Sequence, residues 1–293
     1  DCLDAVAVRI DGEGLSMSAS FIRIASSDLG NLTPVLRELA VRGGSEDELG
    51  YAAKKLGIIT AQTIQKLQLE SIDLIALHGQ TIFHSPTHKV SKQLGDGKLM
   101  SQLVRKKVIY DFRQEDMLNE GQGAPLTPIF HYLLSKNVNE KFQINYPICF
   151  LNIGGISNIT KIINDDEKLE DNFEAFDSGP GNCMIDEWVR KNSKNNFDEN
   201  GSIAKSGKIN QLILNQAIDN FKIDSFDKSL DVKDFDISFA RGLSLEDGCA
   251  TITNFTAYLI AKGIEHANGS NDKPIKYLIC GGGRKNSFLI QSI

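Results

Sequence analysis

The chain opens on an apolar run, Ala5 to Ile10, broken by Asp11-Gly12-Glu13-Gly14 and resumed over Ser18 to Ile24. Two apolar runs around a glycine turn predict a β-hairpin at the N-terminus. Thr33-Pro34 supplies a capping residue and a proline at a helix start, with Gly43 as its stop. Ser45 with Glu48 forms a capping box for a second helix reaching about Leu69. A strand follows over Asp73 to Leu77, and further β-rich runs occur at Val108 to Phe112, Ile148 to Ile153, Asn158 to Ile163, Phe173 to Phe176 and Tyr277 to Cys280. Helical patterning falls near 127–136, 183–192, 208–220 and 244–266. Alternation of this kind predicts α/β layers, and the hairpins at 5–24 and 148–163 require mixed rather than purely parallel sheets. Two hairpin-led halves imply two similar domains. The polar stretch Asn192 to Ser206 reads as a surface excursion.

Composition narrows the classes of function. The 293 residues give room for two packed domains, and 41% hydrophobic against 24% charged residues is ordinary globular composition. A formal net charge of -6 without a dense basic run argues against nucleic acid and anionic membrane as partners. The five cysteines are scattered, without metal-ligand cadence, and read as thiols of a reducing compartment. No apolar stretch approaches the ~18 residues of a membrane span, and no signal peptide is legible, so a cytoplasmic location is expected. Because Asp1 directly precedes a strand, the natural start is expected upstream.

Three glycine-rich turns each follow an apolar strand: Asn152-Ile153-Gly154-Gly155-Ile156-Ser157-Asn158, Asp177-Ser178-Gly179-Pro180-Gly181-Asn182 and Cys280-Gly281-Gly282-Gly283-Arg284-Lys285-Asn286. Without a Cβ, successive amides are free to face a phosphate, while nearby Asn and Ser side chains add neutral donors. A simple tight turn is the alternative at each; three in one chain favour a nucleotide. No stretch fits a Walker loop or a Rossmann fingerprint. Phosphates held between two hairpin loops, with adenosine on a third glycine turn, is the arrangement of the actin, hexokinase and Hsp70 superfamily.

Those turns, together with Leu77-His78-Gly79-Gln80-Thr81 and His84, Gln93-Leu94-Gly95-Asp96-Gly97, Asp111-Phe112-Arg113 with Asp116, and Gln122-Gly123-Ala124-Pro125-Leu126, resemble the anhydro-N-acetylmuramic acid kinase family in collinear order. The resemblance implies two actin-like domains with mixed sheets, 1–145 and 146–293, and an ATP cleft between them. It implies ATP with Mg²⁺, the metal held by phosphates and waters rather than by protein ligands. The implied reaction converts 1,6-anhydro-N-acetylmuramic acid to N-acetylmuramic acid 6-phosphate in cell-wall recycling. The nucleotide is expected on Asp1, Asn152, Gly154, Gly155, Asn158, Gly179, Gly181, Asn182, Gly281, Gly282, Gly283 and Asn286. The sugar is expected on His78, Gln80, Asp111, Arg113, Asp116 and Gln122, and a second copy of the chain is the expected partner in a homodimer.

Such a reaction needs a base for the attacking water, and Asp177, at a strand end before a glycine turn, is its candidate; a cap on the helix near Cys183 is the competing role. Asp111, Arg113 and Asp116 follow a strand with alternating directions suited to sugar hydroxyls and a lactyl carboxylate, against a plain Arg113–Asp116 ion pair. His78 and Gln80 suit sugar recognition, against a satisfied core histidine. His84 and His88 have no carboxylate or thiol at ligand spacing in the sequence, so a loop reading outweighs a metal there. Against the family pattern, only Asp1-Cys2-Leu3-Asp4 remains of the first phosphate loop, Cys2 stands where glycine is expected, Ser178 replaces threonine, and the chain stops at Ile293. Truncation at both ends is therefore expected. An inactive relative that at most binds nucleotide, and a glycoside hydrolase pairing Asp177 with Asp111 or Asp116, are the remaining readings.

Overall fold

The computed structural model describes residues 2–165, 172–221, 226, 229–269 and 275–293. It is a mixed α/β chain of two compact units that divide between Leu126 and Thr127.

In the first unit, β1 (Cys2–Asp11) and β2 (Ser18–Asp28) form the antiparallel hairpin the glycine turn called for. Helix α1 (Leu32–Arg42) starts one residue before Thr33, with Asn31 at the N-cap, and ends at Gly43, whose φ of 74° is accessible to glycine at little cost. Its Leu32, Leu36 and Leu39 share one face and pack against Leu49, Ala52 and Leu56 of α2 (Glu46–Gln65). The Ser45–Glu48 capping box is present, and Arg42 clamps the same Glu48 at 2.7 Å. Strand β3 (Leu74–Ala76), the hairpin β4 (Gln80–Ser85) and β5 (Val90–Leu94), α3 (Gly97–Val104), β6 (Lys107–Ile109) and α4 (Phe112–Leu118) follow. β3 and β6 pair in parallel, and β4 with β5 antiparallel. The strand expected to reach Phe112 stops at Ile109, because Asp111 takes a left-handed conformation (φ 63°) and starts α4.

The second unit begins with α5 (Pro128–Phe142), which packs on the sheet that follows. The boundary therefore lies a helix earlier than the 145/146 expected from sequence. β7 (Ile148–Ile153), β8 (Ile156–Ile162), β9 (Phe173–Pro180) and β10 (Lys276–Cys280) form one sheet in the order β10-β7-β8-β9. Within this sheet the β10–β7 pair is parallel and the β7–β8 and β8–β9 pairs are antiparallel. Helices α6 (Cys183–Asn192), α7 (Ser202–Ser206), α8 (Gln211–Asn220), α9 (Leu245–Asn268) and α10 (Ser287–Ser292) complete it. α9 is the organising helix: Cys249, Ile252, Phe255, Leu259 and Ile260 are buried among side chains of α6, α8, α10 and the sheet. Asn192 to Ser206 is less of an excursion than its polarity implies. The buried Asp198 carboxylate accepts the amides of Ile203 and Ala204 and seats α7 against α9.

Candidate active site

Strands β7 and β10 run in parallel with Asn152 opposite Cys280, so the turns leaving their carboxyl ends lie side by side. A Cβ on Gly281 would meet the Ile153 carbonyl oxygen and the Asn152 Oδ1, and one on Gly283 would strike the Ile153 side chain. The turn after β9 closes on the same spot. Gly181 N–H donates to the Gly155 carbonyl at 2.8 Å, Asn182 N–H to Gly154 at 2.7 Å, and Cys183 N–H to Gly155 at 3.2 Å. All three glycine turns singled out from the sequence thus meet at one edge of the second unit's sheet, beside the positive end of α6.

Their glycines divide into two kinds. At Gly179, Gly181, Gly281 and Gly283 a Cβ would crowd a neighbour, and Gly179 (φ 141°) and Gly281 (φ 79°) also occupy the left-handed side of φ. The fold alone accounts for those. At Gly154, Gly155 and Gly282 the nearest atom to an added Cβ is 3.4, 4.0 and 3.9 Å away, and φ is not positive. Among the described residues nothing crowds a Cβ at these three, so glycine there leaves the backbone open on its outer side. Gly181 and Asn182 have given their backbone amides to the hairpin tip, so those amides shape the turn, while the Asn182 side chain lies toward Gly282, its Nδ2 3.9 Å from where a Cβ there would sit. Asn286, expected beside the adenosine, is buried and caps α10 through Leu289 N–H. Asp1 lies outside the described residues.

Asp177 is inside β9, not at its end: the strand continues to Pro180 across a bulge. Register pairs Asn152 with Asn158 and Asn158 with Asp177, so the three form a row across β7, β8 and β9 with side chains on one face. Asp177 does not cap α6. Its Oδ2 accepts Leu230 N–H at 2.7 Å and the Ser229 hydroxyl at 3.4 Å. Burial pushes its carboxyl above the ordinary carboxylate range, while those two donors pull it part of the way back. Ser229 and Leu230 were not legible as site residues, since they come from a loop 52 and 53 positions away.

In the first unit, Arg113 Nε donates to His78 Nε2 at 3.1 Å, and His78 Nδ1 meets the Gly79 carbonyl at 2.8 Å, which fixes the tautomer with the proton on Nδ1. His78 is exposed, which removes the core-histidine reading. The half-buried Arg113 guanidinium is held below its ordinary pKa by burial. Arg113 and Asp116 form no ion pair with each other. They sit on α4 rather than alternating along a strand, and the Asp116 carboxylate accepts Gly123 N–H at 2.7 Å, folding the 119–123 loop over the helix. A Cβ on Gly123 would lie 3.1 Å from both the Arg113 carbonyl and the His84 ring. His84 meets Ser91 Oγ at 3.0 Å, which in turn accepts Gln93 Nε2 at 2.7 Å. Gln80 bonds the Thr81 carbonyl, and Asp111 and Gln122 are exposed nearby in sequence. Among the described residues no group of three or more His, Cys, Asp or Glu is placed to hold a metal, and no helix is long and apolar enough to cross a membrane.

A half-buried carboxylate in line with two amides and bordered by glycine turns, on a mixed α/β scaffold, is an arrangement that a phosphotransferase of the kinase class can use. Comparison with known proteins agrees and narrows it. Residues 1–293 match the family model described as anhydro-N-acetylmuramic acid kinase. The anhydro-N-acetylmuramic acid kinase of Pelagibacter ubique is 41% identical over all of this chain and 79% of its own length. That of Agrobacterium fabrum is 33% identical over the same shares, and that of Brucella canis 37% identical over 78% of this chain and 59% of its own. The chain belongs to the anhydro-N-acetylmuramic acid kinase family, and with it the glycoside-hydrolase reading falls. A weaker likeness, with a TM-score of 0.38 and 15% identity over 79% of this chain and 69% of the other, is to the activator of 2-hydroxyisocaproyl-CoA dehydratase from Clostridium difficile with bound ADPNP. It is too slight to carry an argument.

Proposed function

We propose that this chain uses ATP to phosphorylate the 6-oxygen of 1,6-anhydro-N-acetylmuramic acid while water opens the anhydro ring, giving N-acetylmuramic acid 6-phosphate for cell-wall recycling. The observation that carries the reading is the Asn152–Asn158–Asp177 row, which sets a carboxylate of raised basicity beside glycine turns left bare on their outer side. ATP supplies the phosphoryl group, with Mg²⁺ carried on its phosphates. Gly154, Gly155 and Gly282 admit the nucleotide to the backbone, and Asn152 and Asn158 add neutral donors that fit a phosphate better than a second carboxylate would. Asp177, held at Oδ2 by Leu230 and Ser229, keeps Oδ1 for a water. That oxygen takes the water's proton as the water oxygen bonds to the anomeric carbon. The bond from that carbon to the 6-oxygen breaks, and the 6-oxygen bonds to the γ-phosphorus as the bond from that phosphorus to ADP breaks and ADP leaves. His78 and Arg113 are the sugar-binding candidates of the first unit, Arg113 as the fork for the lactyl carboxylate.

The test measures ATP-dependent formation of the 6-phosphate by the chain and by Asp177→Asn. The substitution is expected to lower turnover by about 10² to 10⁴, the usual worth of a general base, and to leave ATP affinity nearly unchanged. Near-normal turnover in Asp177→Asn would remove the carboxylate from the mechanism, and absence of sugar-dependent turnover in the unmodified chain would overturn the activity.

A further inference from the structure

Behind the row of amides lies a pair of hydroxyls that the reaction as described does not use. Ser157 and Ser178 are both fully buried, and their Oγ atoms are 2.9 Å apart. Ser157 Oγ also lies 3.1 Å from the Gly179 carbonyl and 3.2 Å from that of Pro180. A carbonyl only accepts, so with the single Ser157 proton on one of these carbonyls the Ser178 hydroxyl is the donor between the two serines.

The pair sits at the bulge in β9. Ser157 pairs with Gly179 and its neighbour Asn158 with Asp177, so Ser178 is the extra residue with no partner of its own across the ladder. A bulge kinks its strand and re-aims the side chains beside it, and Asp177 is the residue immediately beside this one. Left free, an irregularity in a ladder is a point of slack. Here α9 presses on it from behind, with Leu259 against Gly179 and Gly263 against Ser178, where a Cβ on Gly263 would collide with Ser178. From the side, the two hydroxyls tie Ser178 to β8 and β8 to the first residues of the glycine turn. One short chain of hydrogen bonds therefore joins the residue after Asp177 to the turn whose amides clasp Gly154 and Gly155.

We propose that Ser157 is a positioning residue for the kinase reaction: through Ser178 and the carbonyls of Gly179 and Pro180 it fixes the direction in which Asp177 faces the sugar relative to the nucleotide turns. The inference rests on the reading of Asp177 as the base. Ser157 touches neither substrate; its side chain points to the opposite face of β8 from Asn158, into the core. Removing its hydroxyl leaves the Ser178 donor and a buried carbonyl without their partner, and the bulge is then free to settle elsewhere.

The test compares Ser157→Ala, Ser178→Ala, Asp177→Asn and the double variant Ser157→Ala/Asp177→Asn in the full chain, each checked for fold by circular dichroism and thermal melting. Turnover is read in single-turnover mode with labelled ATP, and ATP affinity by equilibrium titration. Ser157→Ala is expected to lower turnover tenfold to a hundredfold, to change ATP affinity less than about threefold, and to cost nothing further once Asp177 is already Asn, because residues that act as one unit are not additive. A merely structural serine would lower turnover by the same factor in both backgrounds. That result, or a Ser157→Ala protein indistinguishable from the unmodified chain, overturns the proposal. Should Ser157→Ala fail to fold, Ser178→Ala, which leaves Ser157 its carbonyl acceptors, is carried into the Asp177→Asn background and read by the same criteria. Full turnover in Asp177→Asn defeats the reading of the base, whereas an inactive Asp177→Asn beside a fully active Ser157→Ala defeats only the positioning role.

Discussion

Asn158 faces Asp177 across the β8–β9 ladder only because Ser178 bulges out of register between them. In an unbroken antiparallel ladder with Ser157 opposite Gly179, the partner of Asn158 would be Ser178, and Asp177 would point to the other face. A one-residue irregularity thus decides that the carboxylate joins the row of amides rather than the core.

The pH dependence of the proposed reaction follows from that placement. A base works when deprotonated, and burial raises the Asp177 carboxyl above its ordinary value of 3.8. kcat/KM is expected to fall as pH drops through a pKa higher than 3.8, with the acid limb missing from the residual activity of Asp177→Asn. A pH–rate profile of both proteins checks this; an acid limb that persists unchanged in the variant assigns the titration to another group.

The same shift makes a statement about stability, with its sign opposite to that of most carboxylates. Where the folded pKa exceeds the unfolded one, the native state holds more protons, and stability declines as pH rises from the unfolded value through the folded one. Ionised Asp177 is therefore a burden on folding at neutral pH. Asp177→Asn keeps an oxygen to accept Leu230 N–H and is expected to melt at or above the temperature of the unmodified chain at pH 7. A melting point several degrees lower would show that the charge is well accommodated.

The two kinds of glycine separate under alanine substitution. Gly155→Ala and Gly282→Ala add a methyl group that meets nothing closer than 3.9 Å, so melting temperature is expected to stay within about 2 °C while ATP affinity falls about tenfold or more. Gly283→Ala drives a Cβ into Ile153 and is expected to cost about 1 to 3 kcal/mol of stability. Paired melting and ATP titration decide; equal loss of stability in all three variants would mean that the bare outer face serves no ligand.

Arg113 is expected to act on the sugar alone. Its Nε is engaged by His78, and Lys offers no second donor in a fixed fork, so Arg113→Lys is expected to raise the sugar KM roughly tenfold to a hundredfold, the worth of about 1.5 to 3 kcal/mol for a charged hydrogen bond. ATP affinity should hold. An unchanged sugar KM would return Arg113 to the role of packing α4 onto His78.

Local chemistry was readable in the chain. Ser45 and Glu48 form the capping box expected of them, Gly43 stops α1, and α6 and α9 fall within two residues of their expected limits. Each depends on a few residues adjacent in sequence, whose hydrogen bonds and φ preferences are set before anything packs. The hairpin of β4 and β5 was missed, because Pro86 to Lys89 lacks the short glycine turn that marks such connections and Gln80 to Ser85 mixes polar with apolar residues.

The candidate site was half legible for the same reason. By itself the sequence determined that three glycine turns follow strands, that Asp177 adjoins one of them, and that the chain carries its family's motifs in order. It did not determine which of those glycines the fold needs for itself: Gly283 is fixed by Ile153, and Gly181 by the Gly154 carbonyl, both distant along the chain. Nor did it show that Leu230 would hold the Asp177 carboxylate, that Arg113 would turn to His78 instead of Asp116, or that Ser178 would leave the ladder. Those outcomes belong to the tertiary structure because each is a competition between partners far apart in sequence. The winner is set by which strands pair, and in which register, and register is fixed only when a whole sheet buries its face against helices such as α9.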